Sequence, residues 1–238
     1  MKFILKFAGV VSILMLCIFA PVAASPLEDG ASAYSRGDYA TALRLLRPLA
    51  DQGNAAAEIR FGYMYEYGHG VTQSYSTALK WYRLAADQGY AEAQKDLAHM
   101  YVVGHGVPES DVEAARWFEK AAAQGNVNAQ WVLGSMYFNG QGLKKNNKEG
   151  MKWLRLATDQ GYGPAGASLG ARYADGDGAP QDYVLGYMWL NLSAAQGDFI
   201  SEESARRRDT IANRMTPAQI AEAQKLTREW KPTQQSPQ

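Results

Sequence analysis

Three histidines are the side chains in this 238-residue sequence that are best suited to metal binding or proton transfer. His69 and His105 each occupy the middle of a Gly-His-Gly segment, and the two segments lie 36 residues apart. If each segment belongs to one structural repeat, the two backbones are separated by roughly 10 Å. That is an awkward distance for sharing one zinc ion, whose bonds to nitrogen measure ~2.0–2.1 Å. Gln141 and Asp177 occupy the same loop position elsewhere, so we expect solvated loop residues, no metal site and no cofactor.

The sequence offers no arrangement typical of nucleophilic catalysis or of nucleotide binding. Its single cysteine, Cys17, lies in an apolar N-terminal stretch, and no serine has the setting of a nucleophile elbow. The glycine pairs end predicted helices, whereas a dinucleotide-binding loop opens a helix after a strand. The run Arg206–Arg208 has acidic neighbours and the formal net charge is +0, so no nucleic-acid partner is expected. The sequence predicts a protein that is not an enzyme.

The N-terminal segment predicts export. Lys2 and Lys6 begin a stretch that continues with the apolar residues Phe7–Ala20 and the small residues Val22–Ala24. This pattern is typical of a secretory signal peptide, here residues 1–24, and the apolar part is shorter than the ~20 residues of a spanning helix. An uncleaved anchor is the alternative. We expect a periplasmic or secreted protein of the Gram-negative type, without a membrane span after cleavage.

The elements that would position the remaining side chains repeat every 36 residues. Each unit is predicted to contain two helices: the first, near 55–67 in unit one, ends at Gly68, and the second begins at a residue preferred as an N-cap. Glu113 and Glu149, three residues after their caps, predict capping boxes. The period is marked by Trp81, Trp117, Trp153 and Trp189, and the N-caps are Ser74, Ser110, Asn146 and Asp182.

Columns of small residues predict close contact between the two helices of each unit. Gly62, Ala98, Gly134 and Gly170 share one column. One hairpin cannot bury both faces of its helices, so the hairpins must stack in series. At the C-terminal end, Thr216 and Pro217 predict the start of a closing helix that reaches about Trp230.

The pattern of unit two resembles the Sel1-like repeat, a relative of the tetratricopeptide repeat. The resemblance rests on Leu97-Ala98, Tyr101, Gly104–Val107, Ala114, Trp117, Ala121-Ala122 and Gly125. It implies an all-α fold, a right-handed α-solenoid of stacked helical hairpins. The expected divisions are an N-terminal tetratricopeptide-like partial repeat at 25–53, four Sel1-like repeats at 54–197, a C-terminal helical cap at 198–230 and a disordered tail at 231–238. Ala179 and Leu45 depart from the family pattern.

The resemblance also implies a partner-binding groove. In the tetratricopeptide superhelix, the face of each first helix opposite the constant positions lines the concave side. Carried over, the groove residues are Ile59, Arg60, Tyr63, Glu66, Tyr67, Lys95, Asp96, His99, Val102, Trp131, Ser135, Phe138 and Asn139. Unit four adds mainly small residues at this face: Ala167, Ser168, Ala171, Ala174 and Asp175. Trp131 lies outside the tryptophan column and is either a binding anchor or a packing residue between neighbouring helices.

A scaffold or regulator in the bacterial envelope is the function that the resemblance implies. Its groove would bind a segment of another protein, such as an envelope signalling, secretion or host protein. The alternative is an accessory protein that binds or processes the cell wall, with a peptidoglycan glycan or peptide in the groove.

Overall fold

The computed structural model describes residues 25–197 and 199–233, and every regular element in these ranges is an α-helix. The signal peptide expected at 1–24 and residues 234–238 of the expected tail lie outside the described residues. The helices are α1 (Pro26–Ser35), α2 (Tyr39–Asp51), α3 (Ala55–Tyr67), α4 (Tyr75–Asp87), α5 (Ala91–Val103), α6 (Asp111–Ala123), α7 (Val127–Asn139), α8 (Asn147–Asp159), α9 (Gly163–Asp175), α10 (Tyr183–Ala194), α11 (Ser201–Ala212) and α12 (Pro217–Glu229).

The first ten helices form five hairpins that stack in series. Within each hairpin the two helices pack against each other, and each second helix also packs against the first helix of the next hairpin. Helix α11 then packs on α10 and touches α9, and α12 packs on α10. This arrangement confirms the all-α solenoid of stacked hairpins that the period predicts.

The predicted N-caps are confirmed, but the predicted capping boxes are wrong. Ser110 Oγ accepts from the backbone N–H of Glu113, and Ser74, Asn146 and Asp182 cap their helices in the same way. The carboxylate of Glu113 does not return to its cap; it pairs with Arg116, one turn further along the helix (2.7 Å). Glu149 likewise lies beside Lys152. The start of α12 does form a complete capping box, between Thr216 and Gln219.

The two glycines of each loop have different structural roles. Gly140 ends α7 in the left-handed conformation, with φ of 67°. Gly142, with φ of 70°, lies against the start of α6 in the preceding repeat, where an ideal Cβ would stand 2.0 Å from the carbonyl oxygen of Asp111. The first glycine therefore turns the chain, and the second lets consecutive hairpins touch through their backbones.

The column of small residues confirms the close approach within each hairpin. Tyr82 of α4 is fully buried, and an ideal Cβ on Gly62 of α3 would stand 2.3 Å from its ring. Leu154 and Leu190 lie in the same way over Gly134 and Gly170.

The C-terminal helices close the stack. Arg206 and Arg207 pair with Glu203 on the surface of α11, as a solvated charged face should. Trp230, at the end of α12, makes an edge contact with Trp189 of α10. The next residues lie against the stack, since the Thr233 N–H donates to the carbonyl oxygen of Asp159 (2.6 Å).

Candidate functional site

The variable positions of α3, α5 and α7, with their equivalents on α9, are called here the first-helix face. Side-chain contacts join successive first helices across it. The Tyr63 hydroxyl on α3 donates to Asp96 Oδ2 on α5 (2.8 Å), and the Trp131 Nε1–H on α7 donates to Ser168 Oγ on α9 (3.2 Å). The face therefore combines positions open to solvent with positions that bridge repeats.

Three of the thirteen expected groove residues are buried, which corrects their assignment to an open surface. Phe138 retains 3% of its exposure because it lies over Gly150, whose ideal Cβ would stand 2.7 Å from the ring. Glu66 is buried because it accepts a hydrogen bond from the fully buried Tyr82 hydroxyl (2.6 Å). Ile59 joins the apolar core cluster that extends from α3 to α7.

The aromatic strip consists of Tyr63 and Tyr67 on the first-helix face and of three rings that adjoin them, Tyr34 of α1, Tyr39 of α2 and His69 of the loop after α3. Tyr67 is 58% exposed, and its ring lies 6.5 Å from that of Tyr63 and 5.8 Å from that of His69. His69 in turn stacks on Tyr39 at 4.6 Å, and its Nδ1 lies 2.9 Å from the Tyr34 hydroxyl. The Arg60 guanidinium stands 5.8 Å from the centre of the Tyr34 ring. Five rings from the first two hairpins thus form one continuous patch.

A charged network lies beside the strip. Glu92 Oε1 also lies 3.1 Å from the Tyr63 hydroxyl, so the two carboxylates share its single proton donor. The Lys95 ammonium pairs with both Glu92 (2.6 Å) and Asp96 (3.0 Å). Burial raises the pKa of Asp96 to about 6, even though Lys95 and the Tyr63 hydroxyl favour its ionised form. This network fixes the orientation of Tyr63 between two repeats.

The interpretation of His69 and His105 as solvated loop residues is wrong. His69 belongs to the aromatic strip, and His105 stacks on Tyr75 with ring centroids 3.8 Å apart. Both rings are partly buried against the second helix of the preceding hairpin. Within residues 25–197 and 199–233, no group of three or more histidine, cysteine or acidic side chains is placed to hold a metal ion.

The same loop position makes a matching contact in the later repeats, and this contact was not predicted from the sequence. Gln141 donates to Asp111 (2.9 Å), and Asn147 donates to Asp177. The partners of the loop column are thus the first residues of the preceding second helices: Tyr39, Tyr75, Asp111 and Asn147. They also recur every 36 residues, and this period was the available signal.

Trp131 is partly buried between α7 and α9. Its indole makes an edge contact with Tyr162 (5.8 Å) as well as the hydrogen bond to Ser168. The packing interpretation therefore describes its position, although part of the side chain remains accessible.

The remaining expected groove residues differ in their accessibility. His99 and Asn139 are exposed. Lys95, Val102 and Ser135 are partly buried, and the Ser135 hydroxyl donates to the carbonyl oxygen of Trp131 (3.1 Å). In unit four, Ala167 and Ala174 are buried, Ser168 and Ala171 are partly buried, and Asp175 is exposed.

Whether a helix could span a membrane can be stated for the described helices, which do not include residues 1–24. None of the helices between residues 25 and 233 combines the length and apolar character needed to cross a bilayer.

Comparison with solved structures gives the same architecture. A Sel1 repeat protein from Oxalobacter formigenes is similar over 79% of this chain and 85% of its own, with 29% identity and a TM-score of 0.68. A protective antigen with an SLR fold from uropathogenic Escherichia coli strains is also 29% identical, with a TM-score of 0.54; the match covers 84% of this chain but 51% of the antigen. An immunity protein from Pseudomonas aeruginosa, 20% identical over 84% of this chain and 81% of its own with a TM-score of 0.51, shows the fold alone. No curated protein matches the sequence significantly.

The sequence profile of the Sel1 repeat matches five successive segments: 27–54, 55–90, 91–126, 127–162 and 167–198. The first segment covers the part expected to be a tetratricopeptide-like partial repeat, so that unit is a Sel1 repeat as well. Proteins of this family are typically non-catalytic scaffolds that mediate protein–protein interactions. Because the matches cover more than half of the sequence and the solved relatives share its stacked hairpins, this chain belongs to the Sel1 repeat family.

Proposed function

We propose that this protein is exported and binds a segment of another protein along its first-helix face, as a scaffold or regulator in the bacterial envelope. The observation that carries the proposal is the aromatic strip around Tyr67. A tyrosine has an apolar ring and a polar hydroxyl, and it loses little conformational entropy when a partner covers it, so exposed tyrosines are frequent anchors of protein interfaces.

The rest of the face supports the same function. The network of Tyr63, Asp96 and Lys95 holds the strip rigid, which lowers the entropic cost of binding. The exposed His99 and Asn139 supply hydrogen-bonding groups further along the face.

Site-specific photocrosslinking in cells tests this function. A photoreactive phenylalanine analogue at position 67 is expected to capture a defined envelope protein. The matched control places the analogue at Tyr90, which is also an exposed tyrosine (49%) but stands at the start of α5 and is not part of the strip. The purified partner should then bind the Tyr67→Ala variant roughly tenfold more weakly or worse, and the Tyr90→Ala variant normally. The same captured proteins at both positions would exclude the proposed face.

Export of the protein is tested by a separate measurement, the position of the mature N-terminus. Mass spectrometry of the periplasmic or secreted fraction should find a mature N-terminus at Ser25, whereas an intact Met1 in the cytoplasm would refute export. If peptidoglycan retains the purified wild type but not Tyr67→Ala, and no protein partner is captured, the cell-wall alternative replaces protein binding.

A further inference from the structure

A cleft of about 400 Å³ lies between α9 and α11, at the C-terminal end of the row of first helices. Its volume falls within the range of small-molecule sites. The cleft is distinct from the aromatic strip, which lies on the first two hairpins.

The cleft lies where α9 carries alanine at two positions that hold larger side chains on the other first helices. Between α3 and α5 the gap is bridged by Tyr63, and between α7 and α9 it is bridged by Trp131. On α9, Ala171 occupies the repeat position of Tyr63, and Ala167 occupies the repeat position of Trp131. Helix α11 therefore faces alanines across the space that an aromatic ring fills elsewhere.

Charged groups of both signs line this space. Arg172 and Asp175 come from α9, and Glu203 and Arg207 come from α11. Arg172 pairs with Asp177 and lies over the Phe138 ring (4.1 Å), while Arg207 Nε donates to Glu203 Oε1 (3.2 Å). A guanidinium has five N–H donors, so these pairings hold both groups in place and leave further donors for a ligand.

We propose that the cleft binds a small zwitterion, a free amino acid or short peptide with both an α-carboxylate and an α-ammonium group. The carboxylate accepts hydrogen bonds from Arg172 and Arg207, and the ammonium group donates to Asp175 and Glu203. A small side chain packs on Ala167 and Ala171. Because the cleft is lined by two cationic and two anionic side chains, it complements a ligand with one charge of each sign better than a ligand with a single charge.

Calorimetric titration with end-blocked peptides tests the charge requirement. Four probes are compared on the full mature chain: dialanine, N-acetyl-dialanine, dialanine amide and N-acetyl-dialanine amide. Dialanine should bind best, each singly blocked peptide roughly tenfold more weakly, and the doubly blocked peptide more weakly still. Equal affinity for all four peptides, or no saturable binding of dialanine up to about 10 mM, would overturn the proposal.

Substitutions inside and outside the cleft test whether dialanine binds there. Arg207→Met should weaken dialanine binding about tenfold, whereas Arg206→Met, on the same helix and with the same Glu203 partner but outside the cleft, should not. Ala171→Tyr restores the side chain of unit one and should abolish binding while leaving the melting temperature equal or higher. If that variant fails to fold, Ala167→Leu fills the same space with less volume.

Trp131 reports on the cleft independently of calorimetry. Its indole N–H donates to Ser168, which lines the cleft. The NMR signal of this indole N–H can be assigned by its loss in Trp131→Phe, and it should shift on addition of dialanine. Wild-type affinity in Arg207→Met and Ala171→Tyr together, with no shift of that signal, would place any binding elsewhere and refute the assignment.

Discussion

The imidazole ring of His105 lies almost parallel to the phenol ring of Tyr75, with 3.8 Å between their centroids and 18° between their planes. His105 follows α5 and Tyr75 begins α4, so the contact joins two consecutive repeats. A stacked pair occupies the preceding boundary (His69 and Tyr39), and hydrogen-bonded polar pairs occupy the next two. At each boundary the same two repeat positions are in contact, but the residue types and the kind of contact differ.

His105→Ala is expected to lower the free energy of unfolding by about 1–2 kcal/mol, because it removes an aromatic pair and leaves a gap against Tyr75. Urea denaturation followed by circular dichroism measures this change. His99→Ala is the control: His99 is exposed on α5, so its effect should stay within about 0.5 kcal/mol. Equal effects of the two substitutions would show that the stack contributes no stability.

Gly142→Ala is expected to cost about 2–4 kcal/mol of unfolding free energy, since the new Cβ would stand 2.0 Å from Asp111 O and the residue has positive φ. Gly53→Ala isolates the conformational part of this cost. Gly53 has a φ of 82° but no atom within 4 Å of its ideal Cβ, so about 1 kcal/mol is expected. Denaturation of both variants under the same conditions gives the difference, and equal losses would contradict the role of close contact between repeats.

Glu58→Gln is expected to stabilise the protein at pH 7 by about 1 kcal/mol. At the equivalent positions, the Gln94 amide donates to Ala86 O (3.2 Å) and the Gln130 amide to Ala122 O (3.1 Å). An ionised Glu58 is buried with no proton to donate, whereas the new amide can reach the equivalent carbonyl of Ala50. Exposed Glu109→Gln is the control and should change stability by less than about 0.5 kcal/mol.

The pH dependence of that gain follows from burial, which raises the pKa of Glu58 above 4.5 in the folded state. The folded protein therefore holds this proton more tightly than the unfolded chain. The stabilising contribution is full below pH 4.5 and is lost as the pH rises through the folded pKa. The advantage of Glu58→Gln should accordingly be larger at pH 7 than at pH 4. An advantage that shrinks with rising pH would show that the folded pKa is not raised.

Tyr63→Phe is expected to raise the pKa of Asp96 above its value of about 6, because it removes a hydrogen bond that favours the carboxylate and keeps the burial unchanged. NMR titration of the side-chain carboxyl carbon measures the midpoint. Tyr67→Phe, on the same helix, should move the midpoint less. A midpoint that falls in Tyr63→Phe would mean that the hydroxyl opposes ionisation.

Much of the architecture could be predicted from the period alone. The helix boundaries, the N-caps and the two loop glycines depend on local backbone geometry, which each residue imposes on its own segment. The capping boxes failed because the carboxylates of Glu113 and Glu149 have alternative basic partners one turn away, and local sequence does not decide between competing partners.

The site was predicted less well than the fold. Helical spacing placed Phe138, Glu66 and Trp131 on one face, but their exposure depends on residues far along the chain: Gly150, Tyr82 and Ser168. A large side chain on that face is buried between helices wherever the neighbouring helix carries a small residue or a polar partner for it.

The repeated helical hairpins, and the residues at which each hairpin begins and ends, can be predicted from the sequence, since these features follow from interactions within a few residues. The folded structure was needed to show which variable side chains bridge repeats, which of them are exposed, and that Ala167 and Ala171 line a cleft beside α11. Those outcomes depend on how the volumes of side chains from different hairpins fit together, and that fit exists only once the hairpins are stacked.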